Sequence, residues 1–144
     1  MNVIAYNRNK KQADRVEAVS IDDLMKQSDV VSINVSLNAE TENMISEREI
    51  NLMKRTAILI NVSQAKVVET NALYRALLNN KIGGAGLDVV AGMKKGHPIL
   101  RLDNTVFTPH AGSSTNESFR ENLPKLVISD IENFLKGTPK NLIN

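Results

Sequence analysis

The stretch Ala57-Ile58-Leu59-Ile60-Asn61, followed at once by Val62-Ser63-Gln64, decides the fold. A short β-branched run that is apolar until its last residue, and then turns polar, reads as a strand buried on both faces that opens into a loop. The same pattern repeats on either side. Upstream lie Val30-Val31-Ser32-Ile33-Asn34-Val35, Val16-Glu17-Ala18-Val19 and Val3-Ile4-Ala5-Tyr6; downstream lie Ile82 to Leu87 and Thr105-Val106-Phe107.

Helical signatures fill the intervals. Ser20-Ile21-Asp22-Asp23 predicts an N-cap with an acid at the third helical position, and Ser46-Glu47-Arg48-Glu49 and Ser114-Thr115-Asn116-Glu117 predict capping boxes. Leu73, Leu77 and Leu78 predict one apolar face on a helix over 70–79. Phe119, Leu123, Leu126, Val127, Ile131 and Phe134 predict a long helix over 114–136, kinked at Pro124 and stopped by Gly137 and Pro139.

Strict alternation of strand and helix predicts a parallel sheet with right-handed crossovers, a Rossmann-like doubly wound α/β fold. Such sheets take ligands at the carboxyl ends of their strands. The candidate residues are therefore those that follow each strand: Asn7-Arg8, Ser36-Leu37, Val62-Ser63-Gln64, Asp88 and His110.

Bulk properties narrow the function. The 144 residues suffice for one domain with a hydrophobic core, and the formal net charge of +2 is too small to argue for nucleic acid or a membrane surface. Arg8-Asn9-Lys10-Lys11 is a short basic cluster that reads as a solvated turn. With no Cys there is no disulfide framework and no thiolate nucleophile, which permits a cytoplasmic setting. No apolar run approaches the ~20 residues of a bilayer span. Trp is absent and the aromatics are few, so a base-stacking platform is not expected.

Four segments, in order, resemble the D-isomer-specific 2-hydroxyacid dehydrogenases. These are residues 28–37 with Glu40-Thr41, residues 52–61, Gly84-Ala85-Gly86-Leu87-Asp88-Val89, and Thr108-Pro109-His110-Ala111-Gly112. The resemblance runs from about Val3 to the C-terminus. It implies a dinucleotide-binding domain that uses NAD or NADP to interconvert 2-hydroxy and 2-keto acids beside a separate substrate domain. In that family an imidazole exchanges the substrate proton, a carboxylate holds the imidazole, and an arginine fork grips the substrate carboxylate.

His110 stands at the position of the catalytic imidazole. The family's Asn-x-x-Arg-Gly reads here Asn61-Val62-Ser63-Gln64-Ala65, so Gln64 occupies the arginine position and offers an amide without charge. Lys66, two residues on, is expected on the opposite side of a turn. No Asp or Glu occurs from Val89 to Leu102, where the resemblance implies the carboxylate partner. Asp88 has two readings, a contact to the nicotinamide amide and a cap on a strand-end turn. Asn7-Arg8 likewise fits either a 2′-phosphate, and hence NADP, or a surface turn. The resemblance also implies cofactor contacts from Ser36, Val62, Ser63 and Gly112.

The family's first strand, G-x-G-x-x-G turn and following helix belong ahead of Val3, where this sequence has only Met1-Asn2. Gly83-Gly84-Ala85-Gly86 does not replace that turn, because it enters a strand instead of opening a helix. The sequence is therefore expected to be a partial dinucleotide-binding domain with a poorly anchored segment over 1–28, a core over 29–113 and the long helix over 114–136. The first strand of the family lies mid-sheet. Its neighbours must pair with each other, take a strand from a partner, or leave the N-terminal segment detached. The expected function is that of a dehydrogenase fragment, inactive as an isolated chain and completed by a companion chain or a homodimer. The alternative is a non-catalytic interaction or dimerisation module that keeps the scaffold.

Overall fold

The computed structural model describes residues 1–8, 16–89, 96–112 and 117–139. Two separate parallel sheets form. The smaller pairs β1 (Ile4–Ala5) with β2 (Glu17–Ala18). The larger runs β3 (Val30–Ile33), β4 (Ile58–Asn61), β5 (Gly84–Leu87) and β6 (Thr105–Phe107) in that spatial order, every neighbour parallel. Leu59 stands opposite Val31 on one side and Ala85 on the other. Of the three expected ways to deal with the mid-sheet gap, direct pairing of the flanking strands is absent among the described residues: β3 pairs only with β4.

The core sits on one face of the larger sheet. Val31, Ile33, Leu59, Ala85 and Leu87 are buried together with Met25 from α1 (Ile21–Gln27), Ile50 from α2 (Glu47–Leu52), and Leu73 and Leu77 from α3 (Thr70–Leu78). Met25 lies inside the 1–28 segment and is fully buried. The strands were expected to be buried on both faces, and here the expectation fails. Val30, Ile58 and Val106 point the other way and are 58%, 41% and 68% exposed, because α1, α2 and α3 supply buried side chains only to the opposite face. Leu78 also departs from expectation. A step of about 100° from Leu77 carries it off the buried stripe, and α3 packs through Ala72, Leu73, Ala76 and Leu77.

Local chemistry sets the helix ends as expected. The Ser20 hydroxyl accepts from the Asp23 N–H. Ser46 and Glu49 form a complete capping box on α2. The cap proposed at Ser114-Thr115-Asn116 lies outside the described residues.

The glycines before β5 serve packing. A Cβ on Gly83 would stand 2.7 Å from the Thr56 carbonyl oxygen, and one on Gly84 would stand 2.9 Å from that of Asn104. Both neighbours are backbone, which has little room to give. Gly83-Gly84 is thus the close approach that lets β5 start between two chain segments.

The chain divides into two compact units, Met1–Pro109 and His110–Asn144. In the second, a π-helical turn at Glu117–Asn122 runs into α4 (Leu123–Leu135). The single kinked helix expected over 114–136 is therefore two geometries in series. Pro124 stands in the first turn of α4, where a missing N–H costs little, and the widened turn ahead of it replaces the kink. Leu123, Leu126, Val127, Ile128, Ile131 and Phe134 are all exposed on α4.

Candidate functional site

Asn61 ends β4 and is almost completely buried. Its side chain works on the loop that follows. The carboxamide nitrogen donates to the Gln64 carbonyl at 2.9 Å, and the carboxamide oxygen accepts from the Ser63 N–H at 3.1 Å. This Asx-type turn fixes the backbone of residues 62–64, and the Gln64 carbonyl also accepts from the Val67 N–H at 3.2 Å. Ser63 then ties its loop to the neighbouring one, its hydroxyl donating to the Val35 carbonyl at 2.5 Å. On that neighbouring loop the Thr41 hydroxyl donates to the Ser36 carbonyl at 2.7 Å and accepts from the Asn38 N–H at 2.8 Å.

Together the two loops wall a cleft of about 480 Å³, lined by Asn34, Val35, Ser36, Leu37, Ser63 and Gln64. Its size is that of a small-molecule site, and it lies at the carboxyl ends of adjacent parallel strands. No lining residue carries a charge. Lys66 pairs with Glu42 at 3.6 Å and is not among the residues lining the cleft. Of the residues proposed from sequence, the cleft brings Ser36, Ser63 and Gln64 together. Val62 is 48% exposed and is not among the residues lining it.

Asp88 follows β5 and is buried. Its N–H donates to the Asn61 carbonyl at 3.0 Å, and its carboxylate accepts from the Thr108 hydroxyl. The Thr108 N–H donates in turn to the Leu87 carbonyl at 3.1 Å. The carboxyl ends of β4, β5 and β6 are thereby laced together. Thr108 is the partner that sequence reasoning missed. Its signal was a Thr just past an edge strand whose register sets it beside the Asp that follows the next strand.

Asn7 and Arg8 follow β1. The Arg8 guanidinium forms an ion pair with Glu40, both side chains being exposed. The pair joins the chain after β1 to the loop after β3. A 2′-phosphate at Arg8 would have to compete with that carboxylate.

His110 and Gly112 belong to the second unit. His110 is exposed and has φ +55°, a left-handed conformation that non-glycine residues seldom adopt. Among the described residues no group of His, Asp and Glu is arranged to hold a metal ion, and no helix is long and apolar enough to cross a membrane.

These residues fit part of a dinucleotide. The polar cleft can hold a ribose-sized or nicotinamide-sized group, and Asp88 stands at the next strand end. Among the described residues no glycine-rich turn opens a helix to receive a pyrophosphate, and Gly83-Gly84 is occupied by backbone packing.

Comparison with known proteins gives the same direction. The family model described as D-isomer specific 2-hydroxyacid dehydrogenase, NAD binding domain, matches residues 1–112. A glyoxylate reductase of Thermococcus litoralis is 43% identical over 150 residues, covering 100% of this chain and 45% of its own length. One from Korarchaeum cryptofilum is 43% identical over 132 residues, covering 90% of this chain and 40% of its own. Among solved structures, an acyclic imino acid reductase in complex with NADPH and D-Arg superposes with a TM-score of 0.90 at 38% identity, covering 100% of this chain and 46% of that one. The NAD-complexed D-isomer specific 2-hydroxyacid dehydrogenase from Lactobacillus delbrueckii ssp. bulgaricus gives 0.83 at 32% identity, covering 99% and 49%. The chain thus spans about 45% of the length of the first of these curated relatives.

Proposed function

Because this chain belongs to the D-isomer-specific 2-hydroxyacid dehydrogenases, through their NAD-binding domain, we propose that it is the cofactor-side part of an NAD(P)-dependent oxidoreductase and does not turn over substrate alone. The observation that carries the reading is the laced set of strand ends. Asn61 and Ser63 hold a polar cleft where doubly wound sheets take nucleotides, and the Asp88–Thr108 pair stands at the next strand ends. The dinucleotide, when bound, supplies or accepts the hydride. The chain's own residues orient it: Ser63 and Gln64 line the cleft, and Asp88 offers a fixed carboxylate to an amide N–H. His110 is the group proposed to exchange a proton with the substrate oxygen.

Two features support inactivity of the isolated chain. Gln64 stands where the resemblance implies a guanidinium, and from Val89 to Leu102 there is no acid to hold an imidazole. A further polypeptide completes the reading. The edge of β3, which pairs only with β4 among the described residues, and the exposed Val30, Ile58 and Val106 suit an added strand with a covering helix, from a companion chain or a second copy.

The test is fluorescence titration with NADH and NADPH, followed by assay with glyoxylate, hydroxypyruvate and pyruvate. Weak cofactor binding with no turnover is expected. Turnover by the chain alone that vanishes in His110→Ala overturns the inactive reading.

A second reading, a non-catalytic interaction module, is favoured by the apolar residues exposed along α4. A stable oligomer by sedimentation, with no affinity for either dinucleotide, would select it.

A further inference from the structure

The lining of the cleft has a chemical sign. Asn34 spends its amide N–H groups on Ser32, donating to the hydroxyl at 3.0 Å and the carbonyl at 3.3 Å. Val35 and Ser36 have their carbonyls taken by Ser63 and Thr41. Gln64 is different. Its backbone carbonyl accepts from Asn61 and from the Val67 N–H, so the main chain is held, and its exposed carboxamide makes no hydrogen bond among the described residues. No basic residue lines the cleft, and Lys66 and Arg8 are paired with Glu42 and Glu40.

A planar carboxamide on a fixed turn offers one donor edge and one acceptor edge. A carboxylate approaching it finds only neutral donors and a repelling carbonyl oxygen, with no charged residue on the lining to offset desolvation. A second carboxamide finds both edges complementary and forms a two-point pair, N–H to C=O and C=O to H–N.

We propose that the Gln64 cleft takes a neutral carboxamide in preference to a carboxylate, with Gln64 as the residue that sets this choice. The inference rests on the proposed dehydrogenase-domain reading and gives its substrate class. The ligand group is the amide of a small 2-hydroxy or 2-oxo carboxamide.

The test is two-dimensional NMR on the full chain, following the Ser63, Gln64 and Leu37 backbone signals and the Gln64 side-chain NH2. Lactamide, nicotinamide and lactate are titrated separately at equal ionic strength. For so small a ligand the dissociation constant should be on the order of 10 mM or weaker. Shifts with lactamide and not lactate support the proposal, and shifts confined to nicotinamide, the cofactor's own amide, overturn it. Gln64→Arg, an exposed side-chain change that leaves the Asn61 turn intact, should reverse the preference toward lactate by about tenfold, a step of ~1.4 kcal/mol. Lactate shifting these signals as strongly as lactamide, or lactamide leaving them unmoved, overturns the proposal. A parallel NADH titration keeps the two ideas apart. Amide binding without any NADH shift at the strand ends sinks the dehydrogenase reading and leaves the cleft's preference standing.

Discussion

The two faces of the larger sheet are built from the same strands and have opposite fates. On β3 and β4, Val31 and Leu59 are buried, while their immediate neighbours Val30 and Ile58 are exposed. All four are β-branched or aliphatic. Residue type therefore does not separate the faces; the supply of covering helices does. Truncating Leu59 to Ala should cost ~2–5 kcal/mol, because transfer and cavity terms add in a packed core. Ile58→Ala should cost under about 1 kcal/mol, since most of its loss is strand propensity. Urea denaturation of both variants measures the gap. Equal losses would mean that something covers the second face in solution, and a concentration-dependent midpoint would identify a second copy as that cover.

The next contrast is between Asn61 and Val62, adjacent residues at the end of β4. Asn61 is buried and organises the turn; Val62 is half in solvent. Asn61→Ala leaves the Ser63 N–H and the Gln64 carbonyl without that partner and should cost ~1–3 kcal/mol. Amide exchange at Ser63 and Gln64 should accelerate with it. Val62→Ala should do neither. If the exchange rates do not respond to Asn61, the cleft wall is held by Ser63 and Val35 instead.

Much of this was legible in the sequence because the physics is local. The caps at Ser20 and Ser46 follow from a hydroxyl and an acid three residues on, and the parallel sheet follows from strand–helix alternation. Gln64 and Asp88 were found by their place after strands. What stayed hidden depends on long-range partners. An apolar run does not say which of its faces will be covered, so Val30 and Ile58 read as buried. Thr108 was missed as a partner of Asp88 because 20 residues separate them and only strand register brings them together. Pro124 read as a kink because sequence periodicity does not reveal a π turn just ahead of it. The loss of the two-strand segment from the main sheet was anticipated as a problem, and its outcome, a separate β1–β2 pair, was one the pattern alone left open.

The smallest effects sharpen the same contrast on one helix. α2 carries Glu49, buried, and Glu47, exposed. Burial pushes the Glu49 carboxyl upward, but hydrogen bonds from the Ser46 hydroxyl, the Arg48 guanidinium and the Ser46 N–H outweigh it, and the net direction is down. A carboxylate depressed on folding stabilises fully above its unfolded value, ~4.3, and that stabilisation disappears as pH falls through the lower folded value. Acid denaturation should therefore steepen below about pH 4, and Glu49→Gln should flatten that limb. Its cost near neutral pH should be about 1 kcal/mol, the scale of a lost cap interaction.

Glu47 pairs with Arg75 of α3 at 2.9 Å, with both side chains half or more exposed. Glu47→Gln should cost no more than ~0.5 kcal/mol and lose even that in high salt. Thermal midpoints at low and high ionic strength test it. A salt-independent loss as large as that of Glu49→Gln would mean that the α2–α3 surface is shielded from water, and that the exposed side of the molecule is smaller than the isolated chain displays.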